Sequence, residues 1–475
     1  MVNSKSPRVG LVVDHPLRDL PGMVLLALEL AQRGIETALI PLYEQGVDVP
    51  LMALDSVVLN FARQVNEPLA QKYALLGIPV FVMDTEGGIL SDKGRVAPRS
   101  IAAFVRDSAF AKVLSGYFFW GEAMHEAFLA EAALPEDRLF LTGCPRFDYY
   151  APALAGLEPP KRTGHVLVNT NFPVVNPRFA LNKTGDAEAL RSVGMADEYI
   201  AMLQSENRRV MLEMIDLVAR LAADLPNQQF VLRPHPFERW EAYSEALGYL
   251  PNVVIDGNGP VLDALRGAYA LLHLNCGTAI EALMLELPPL APEWINSEFM
   301  LTHASLPSRA SRAVHSYDEM RNLLASGNPA AGFDMAASYR ATAWRYFHHA
   351  DGQARTRVAD VLEAAVRQRS APSKPFYAAS IVGSHPHARL AQRAQGLLAN
   401  LLGSALTRDL RIRHRPARAA KRILPQDVDR QVTLLARFLD LPQPSVAKAR
   451  HPLSGLPLSS VLITPRAQQP LDTRQ

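Results

Sequence analysis

Two series of short apolar strands alternating with helix-length segments, parted by one proline-rich break, constrain this chain of 475 residues more than any other feature. The first series reads RVGLVVD, LPGMVLLALELAQRG, ETALIPL, SVVLNF, IPVFVMD, GYFFWG and RLFLTG. The second reads HVLVNTN, a long helix from about Glu206 to Leu225, QFVLRPH, NVVIDG, YALLHLN and a helix starting near Thr278. Apolar strands alternating with amphipathic helices predict parallel sheets covered on both faces. The Pro/Gly/Ala-rich APALAGLEPPKRTG, Ala151 to Gly164, reads as a linker. The predicted class is α/β, with two Rossmann-like domains, 1–155 and 160–369, facing across a cleft. The first lacks a G-x-G-x-x-G fingerprint, and the second closes with a helical region from about Asp334 to Gln368. Open α/β sheets bind ligands beyond the carboxyl ends of their strands, so the active site is expected between the domains.

Composition fits this division. With 48% hydrophobic and 20% charged residues, disorder cannot dominate, and the length suggests two or three domains. Cys144 and Cys276 lack metal or redox spacing and suit unpaired thiols in a reducing compartment. The apolar run before Asp14 is too short for a signal peptide, and no stretch of about eighteen apolar residues occurs, so a cytoplasmic protein is expected. The net charge of +2 conceals an asymmetry: from Ser370 onward sixteen Lys/Arg face five Asp, which leaves the preceding part at −9. Residues 376–475 are therefore expected to form a basic tail, helical or partly disordered. Within it, GLLANLLGSAL precedes TRDLRIRHRPARAAKR, so 404–422 suits either peripheral contact with an anionic membrane or a solvated tail. Aromatic interleaving is absent, which argues against nucleic acid.

Several strand ends carry candidate chemistry. His235 stands between two prolines in LRPHPFE, in a stiff corner at the end of an apolar strand. In LLHLNCGTAIEAL a strand ends at Leu274, Asn275-Cys276-Gly277 turn, and Thr278 opens a helix whose N-terminus suits a phosphate. Thr278-x-x-Glu281 equally matches a capping box. Arg233 reads as a phosphate contact or as one half of a local ion pair with Glu238. Asn169 and Asn171 donate to phosphate or close an Asx-turn. Asp84 and Glu86 in VFVMDTEGGI precede a double glycine; if the strand continues through them, both project to one face as base or nucleophile. Solvated loop acids fit the same pattern. Asp14 and His15 in VDHPLRDLPG end the first strand with the same ambiguity. The one D-x-D triplet, Asp427-Val428-Asp429, suits a helix start, so no metal and no cofactor is assigned.

Taken in order, DTEGG, FFWGEAMHE, LTGCPRFD, LVNTNF, LRPHPFE and NCGTAIEAL resemble the bacterial surface carbohydrate biosynthesis proteins, a group similar to capsule Kdo transferases and CDP-glycerol glycerophosphotransferases. The resemblance spans about Val9 to Arg369 and excludes the tail. It implies a GT-B fold with an acceptor-side first domain and a nucleotide-sugar domain second. It also implies that His235 and the Gly277-Thr278 helix start bind donor phosphate and that Glu281 reaches the ribose. LELPPLAP stands where a GKPV-like segment is expected. The function so implied is a metal-independent glycosyltransferase moving a sugar from a nucleotide donor, CMP-linked in the reading preferred, to a surface polysaccharide or lipid-linked acceptor. A polyol-phosphate transferase with a CDP-linked donor, or a non-catalytic scaffold of the same fold, are the rivals.

Overall fold

The computed structural model describes residues 6–86, 91, 97–158, 160–179, 187, 191, 196–348, 350–369, 374–377, 394, 397–398, 401, 404–406 and 419–466. The chain forms two compact units: Met1–Gly87 with Ala102–Leu157 and Ala350–Gln475, and Gly88–Ile101 with Glu158–His349. Gly87 and Gly88 of the expected double glycine lie outside the described residues, as do 407–418 of the basic run.

In the first unit β1 (Arg8–Val13), β2 (Glu36–Pro41), β3 (Ser56–Leu59), β4 (Val80–Met83), β5 (Leu114–Phe119) and β6 (Leu139–Leu141) lie in the order β2-β1-β3-β4-β5-β6, all parallel. β3 and β4 are buried along their whole length, which is why they read as continuous apolar runs. Phe118 stacks on Phe81 with ring centroids 5.6 Å apart, and each such buried side chain contributes about 1.5–3 kcal/mol. Gly116 makes room for this layer, since a Cβ there would stand 2.6 Å from Phe140 and 2.8 Å from Phe81. Ten of the thirteen residues of helix Leu20–Gln32 are buried, so it is not the amphipathic surface helix expected. Helices Ala354–Arg367 and Pro425–Phe438 pack against it, and its apolar sequence on all sides is the corresponding signal.

The second unit holds β7 (His165–Asn169), β8 (Phe230–Arg233), β9 (Val253–Ile255), β10 (Ala268–His273), β11 (Pro289–Pro292) and β12 (Arg312–Val314), in the order β12-β11-β10-β7-β8-β9, all parallel. The long helix runs Asp197–Asp224, nine residues earlier at its start than expected, with Asp197 and Glu198 in the first turn where the helix dipole favours them. Its Val210, Met214, Leu217, Val218 and Leu221 face a core that includes Val166, Phe230 and Leu272. β11 is an interior strand inside LELPPLAP, with prolines at its two ends.

The C-terminal part corrects the expected boundaries. Of the expected tail 376–475, the described residues 419–466 do not stand apart from the first unit. Helix Pro425–Phe438 is followed by β13 (Ser445–Arg450) and β14 (Pro457–Thr464), which extend the first sheet antiparallel beside β2, Val461 opposite Leu39. The buried Asp48 carboxylate accepts the Ser460 N–H at 3.0 Å and its hydroxyl at 2.7 Å, which fixes β14 in place. Asp427 does sit in the first turn of its helix. The helical region expected over 334–368 also divides. Its chain breaks at His348, with φ +62°, and Ala354–Arg367 joins the first unit. There Asp148 caps it, accepting the N–H of Ala354 at 3.0 Å and of Arg355 at 2.9 Å. Among the described residues no helix is long and apolar enough to cross a membrane.

Candidate functional site

Strand order places the ligand crevice of each unit. In the second, the chain runs from β7 outward through β8 and β9, then returns to the other side of β7 as β10. This is the Rossmann order, whose reversal lies between β7 and β10, and ligands bind beyond the carboxyl ends there. Arg233, Asn169 and His273 stand in register across β8, β7 and β10. Two residues further on come His235, Asn171 and Asn275. With neighbouring strands about 4.8 Å apart, the His235 and Asn275 loops flank Asn169–Asn171 within roughly 10 Å of each other.

Each side chain in this row has a defined part. His235 Nδ1 accepts the N–H of Phe237 at 3.2 Å, so the neutral ring carries its proton on Nε2 as a donor. Arg233 and Glu238 are not an ion pair. The Arg233 guanidinium donates to the carbonyls of Asn258 (2.9 Å) and Gly259 (2.5 Å) and holds the loop after β9. Glu238 is fully buried and accepts from the Thr170 hydroxyl at 2.7 Å, the Phe172 N–H and the Tyr243 hydroxyl. Burial pushes its carboxyl pKa up, opposed by those three donors. Glu238 therefore ties the loop after β7 to the loop after β8. Neither Asn169 nor Asn171 closes an Asx-turn among the described residues, and the buried Asn169 Oδ1 has no hydrogen-bond partner. A buried polar atom left unpaired at this edge is one a ligand or water would satisfy.

On the other side of β7, Asn275 has φ +51°, in the left-handed region that Asn tolerates. Its amide exchanges hydrogen bonds with Asn296 (3.0 and 3.2 Å) and accepts the Ser308 hydroxyl at 2.9 Å, so it shapes the turn. The expected capping box is not formed. Gly277 is the N-cap, Thr278 is already helical, and its hydroxyl lies 3.3 Å from Cys276 Sγ. Glu281 is buried in the first turn of helix Thr278–Met284. His273 and Ser311 lie 2.8 Å apart but form no nucleophilic pair: the serine hydroxyl donates to the Pro307 carbonyl at 2.6 Å, and burial holds His273 neutral with a pKa of about 3.

In the first unit the order β2-β1-β3 sets the reversal at β1 and β3. Asp14 follows β1, with Arg18 Nη2 at 2.7 Å and Lys421 Nζ bound to its other oxygen. His15 Nδ1 accepts the Leu17 N–H at 3.2 Å, the same His-Pro turn as at His235, and burial holds its pKa at about 4. β4 stops at Met83, so Asp84 and Glu86 are not brought to one face by a strand. Instead Asp84 Oδ1 accepts the Glu86 N–H at 2.9 Å, an Asx-type turn, and both acids meet Arg63 at 3.4 and 3.2 Å. Asp84 is buried and Glu86 exposed. The sequence reading missed Asn60, Thr85 and Lys421 here. Asn60 interrupts the apolar run SVVLNF directly after β3, which was the available signal. Among the described residues no group of three or more His, Cys, Asp or Glu is placed to hold a metal ion.

No family model matches the chain, and no curated protein matches it. Among solved structures, UDP-GlcNAc 2-epimerase from Neisseria meningitidis bound to UDP-GlcNAc aligns at TM-score 0.48 and 13% identity, covering 75% of this chain and 100% of that one. The Methanocaldococcus jannaschii UDP-GlcNAc 2-epimerase in complex with UDP-GlcNAc and UDP aligns at TM-score 0.47 and 10% identity, covering 75% and 99%. The wall teichoic acid polymerase TagF aligns at TM-score 0.41 and 13% identity, covering 67% and 74%.

Proposed function

We propose that the chain is a glycosyltransferase that binds a nucleotide-activated donor on the second unit and passes its sugar to a surface polysaccharide or lipid-linked acceptor. The observation that carries this reading is the row His235, Asn171 and Asn275 beside the unpaired Asn169 at the β7/β10 reversal. His235 Nε2–H and the Asn171 amide are neutral donors for a phosphate. Thr278 adds a hydroxyl, Glu238 and Asn275 hold the loops that carry these groups, and Arg233 holds the neighbouring loop after β9. Glu86, the exposed acid of the first unit, is the candidate base for the acceptor hydroxyl, with Arg63 holding it and Asp84 fixing its turn. Within 404–422, the basic run apart from Lys421, which is bound to Asp14, supplies peripheral contact with an anionic membrane in this reading. A thermal-shift screen of the full chain with CMP, CDP, UDP and GDP tests it. One nucleotide raising the melting temperature supports donor binding, and no response to any of them refutes it. Release of free sugar rather than polyol phosphate from the responding donor class then separates a sugar transferase from a polyol-phosphate transferase.

A further inference from the structure

We propose that Arg178 is a specificity-determining residue that binds a second anionic group of the donor, a terminal phosphate or a sugar carboxylate, beyond the phosphate held at the row of His235, Asn171 and Asn275. This role rests on donor binding at that row and adds what the row itself does not decide, which donors are favoured.

The loop after β7 is zipped to the loop after β8, and this fixes where Arg178 stands. Pro177 and Glu238 form an antiparallel bridge. The Arg178 N–H donates to the Phe237 carbonyl at 2.7 Å, and the Arg239 N–H donates to the Asn176 carbonyl at 3.1 Å. The buried Asn176 amide donates to the Arg239 carbonyl at 2.9 Å and closes the pair. Arg178 is thereby anchored opposite Phe237, two residues after His235, and this backbone is ordered before any ligand arrives.

The Arg178 side chain lies on a shelf of rings that begins at His235. The His235 and Phe237 rings are 5.6 Å apart, and those of Phe237 and Phe179 are 6.0 Å apart. The Arg178 guanidinium stands 5.4 Å from the centre of Phe179 and 6.0 Å from that of Trp240. Trp240 in turn backs onto the loop after β9, where a Cβ on Gly257 would come within 2.6 Å of its ring. A guanidinium resting on aromatic faces keeps the N–H groups at its edge free for a bidentate carboxylate or phosphate.

Two unspent donors mark this shelf. Arg233 and Arg239 are spent on the protein itself, Arg233 on the carbonyls of Asn258 and Gly259 and Arg239 Nε on Asn176 Oδ1 at 3.3 Å. Arg178 is exposed, and its side chain has neither a hydrogen-bond acceptor nor a carboxylate partner among the described residues. In the same stack the buried Trp240 Nε1–H has no partner either. A buried donor left unpaired is costly, so an acceptor from a ligand or water belongs there. Both groups call for acceptor oxygens, and the fork of Arg178 selects a charged pair of them.

Calorimetry on the full-length chain and on Arg178→Gln and Arg178→Lys tests the proposal. CDP, UDP and GDP against their monophosphates probe a second phosphate. CMP-N-acetylneuraminate against CMP, and UDP-glucuronate against UDP-glucose, probe a sugar carboxylate. The wild type is expected to prefer the ligand with the extra anion in one arm, which names its source. Arg178→Gln should reduce that preference by about tenfold or more, the loss of hydrogen bonds to a charged group, with monophosphate affinity changed less than about twofold and the melting temperature kept. Arg178→Lys keeps the charge but not the fork and should recover only part of the preference. No preference in any arm of the wild type, a preference unchanged in Arg178→Gln, or an equal loss for every ligand would each overturn the proposal while leaving donor binding on the second unit standing. Absence of binding by every nucleotide would overturn both.

Discussion

The imidazole of His235 accepts the backbone N–H of Phe237 through Nδ1 at 3.2 Å, which makes the ring a hydrogen-bond donor at Nε2 rather than a base. His235→Ala should therefore weaken nucleotide binding by about 1–3 kcal/mol, the range for a hydrogen bond to a charged group. His235→Gln, which retains an N–H near the same place, should recover part of that loss. Isothermal calorimetry on the three proteins measures it, and equal affinity in all three would remove His235 from the site.

Asn275 tests the separation of shaping from binding. Asn275→Ala removes the bonds to Asn296 and Ser308 and places alanine at φ +51°, so it should cost about 2–4 kcal/mol of stability in urea unfolding. Thr278→Val, by contrast, removes no helix cap and should cost less than about 1 kcal/mol. A large loss of nucleotide affinity in Thr278→Val with stability kept would assign its hydroxyl to the ligand.

Asp148 gives a pH signature with a defined sign. Burial raises its carboxyl from 3.8 to about 6, opposed by the N–H groups of Arg355 and Ala354. The folded state thus holds its proton more tightly, and this contribution to stability is complete below about 4 and lost as pH rises through 6. His15 acts oppositely: its pKa falls from 6.5 to about 4, so the folded state sheds its proton and stability grows as pH rises over that window. Asp148→Asn should leave the His15 trend exposed, so its stability should rise more steeply with pH between 4 and 6 than the wild type's, by up to about 1.4 kcal/mol per pH unit. Urea titrations across that range check it; unchanged slopes would contradict the assignment.

Glu86→Gln should lower turnover with a native acceptor by about 10²-fold or more, as expected for loss of a general base, while its melting temperature stays near wild type because the side chain is exposed. Asp84→Asn keeps an acceptor for the Glu86 N–H but weakens the Arg63 contact, so it should act through the position of Glu86 and cost less activity. Turnover and melting measured together distinguish the two. Full activity in Glu86→Gln would make this turn structural.

Much of the fold was legible because parallel strands are buried on both faces: β1 to β10 each coincide with an apolar run quoted from the sequence, β5 starting two residues and β10 one residue before its run. β11 was hidden by its prolines. β13 reads as a basic tail because its exposed edge carries Lys448 and Arg450, charges that edge strands use against unwanted pairing. At the site, the Pro-His-Pro setting of His235 falls in the turn that follows β8. Thr278 and Glu281 match a capping pattern that the turn at Asn275 displaces by one residue. Glu238 looked like a partner for Arg233, but two of its three donors, Thr170 and Phe172, come from a loop 66–68 residues away. Lys421 is 407 residues from Asp14, a pairing no local pattern reveals.

The central claim, a nucleotide held at the β7/β10 reversal, is tested most directly by calorimetric titration of CMP, CDP, UDP and GDP into the wild type, His235→Ala and Glu86→Gln. The account predicts one-to-one binding of one nucleotide to the wild type, clear weakening in His235→Ala, and wild-type affinity in Glu86→Gln. No binding of any of the four, or the same affinity in His235→Ala as in the wild type, would contradict it.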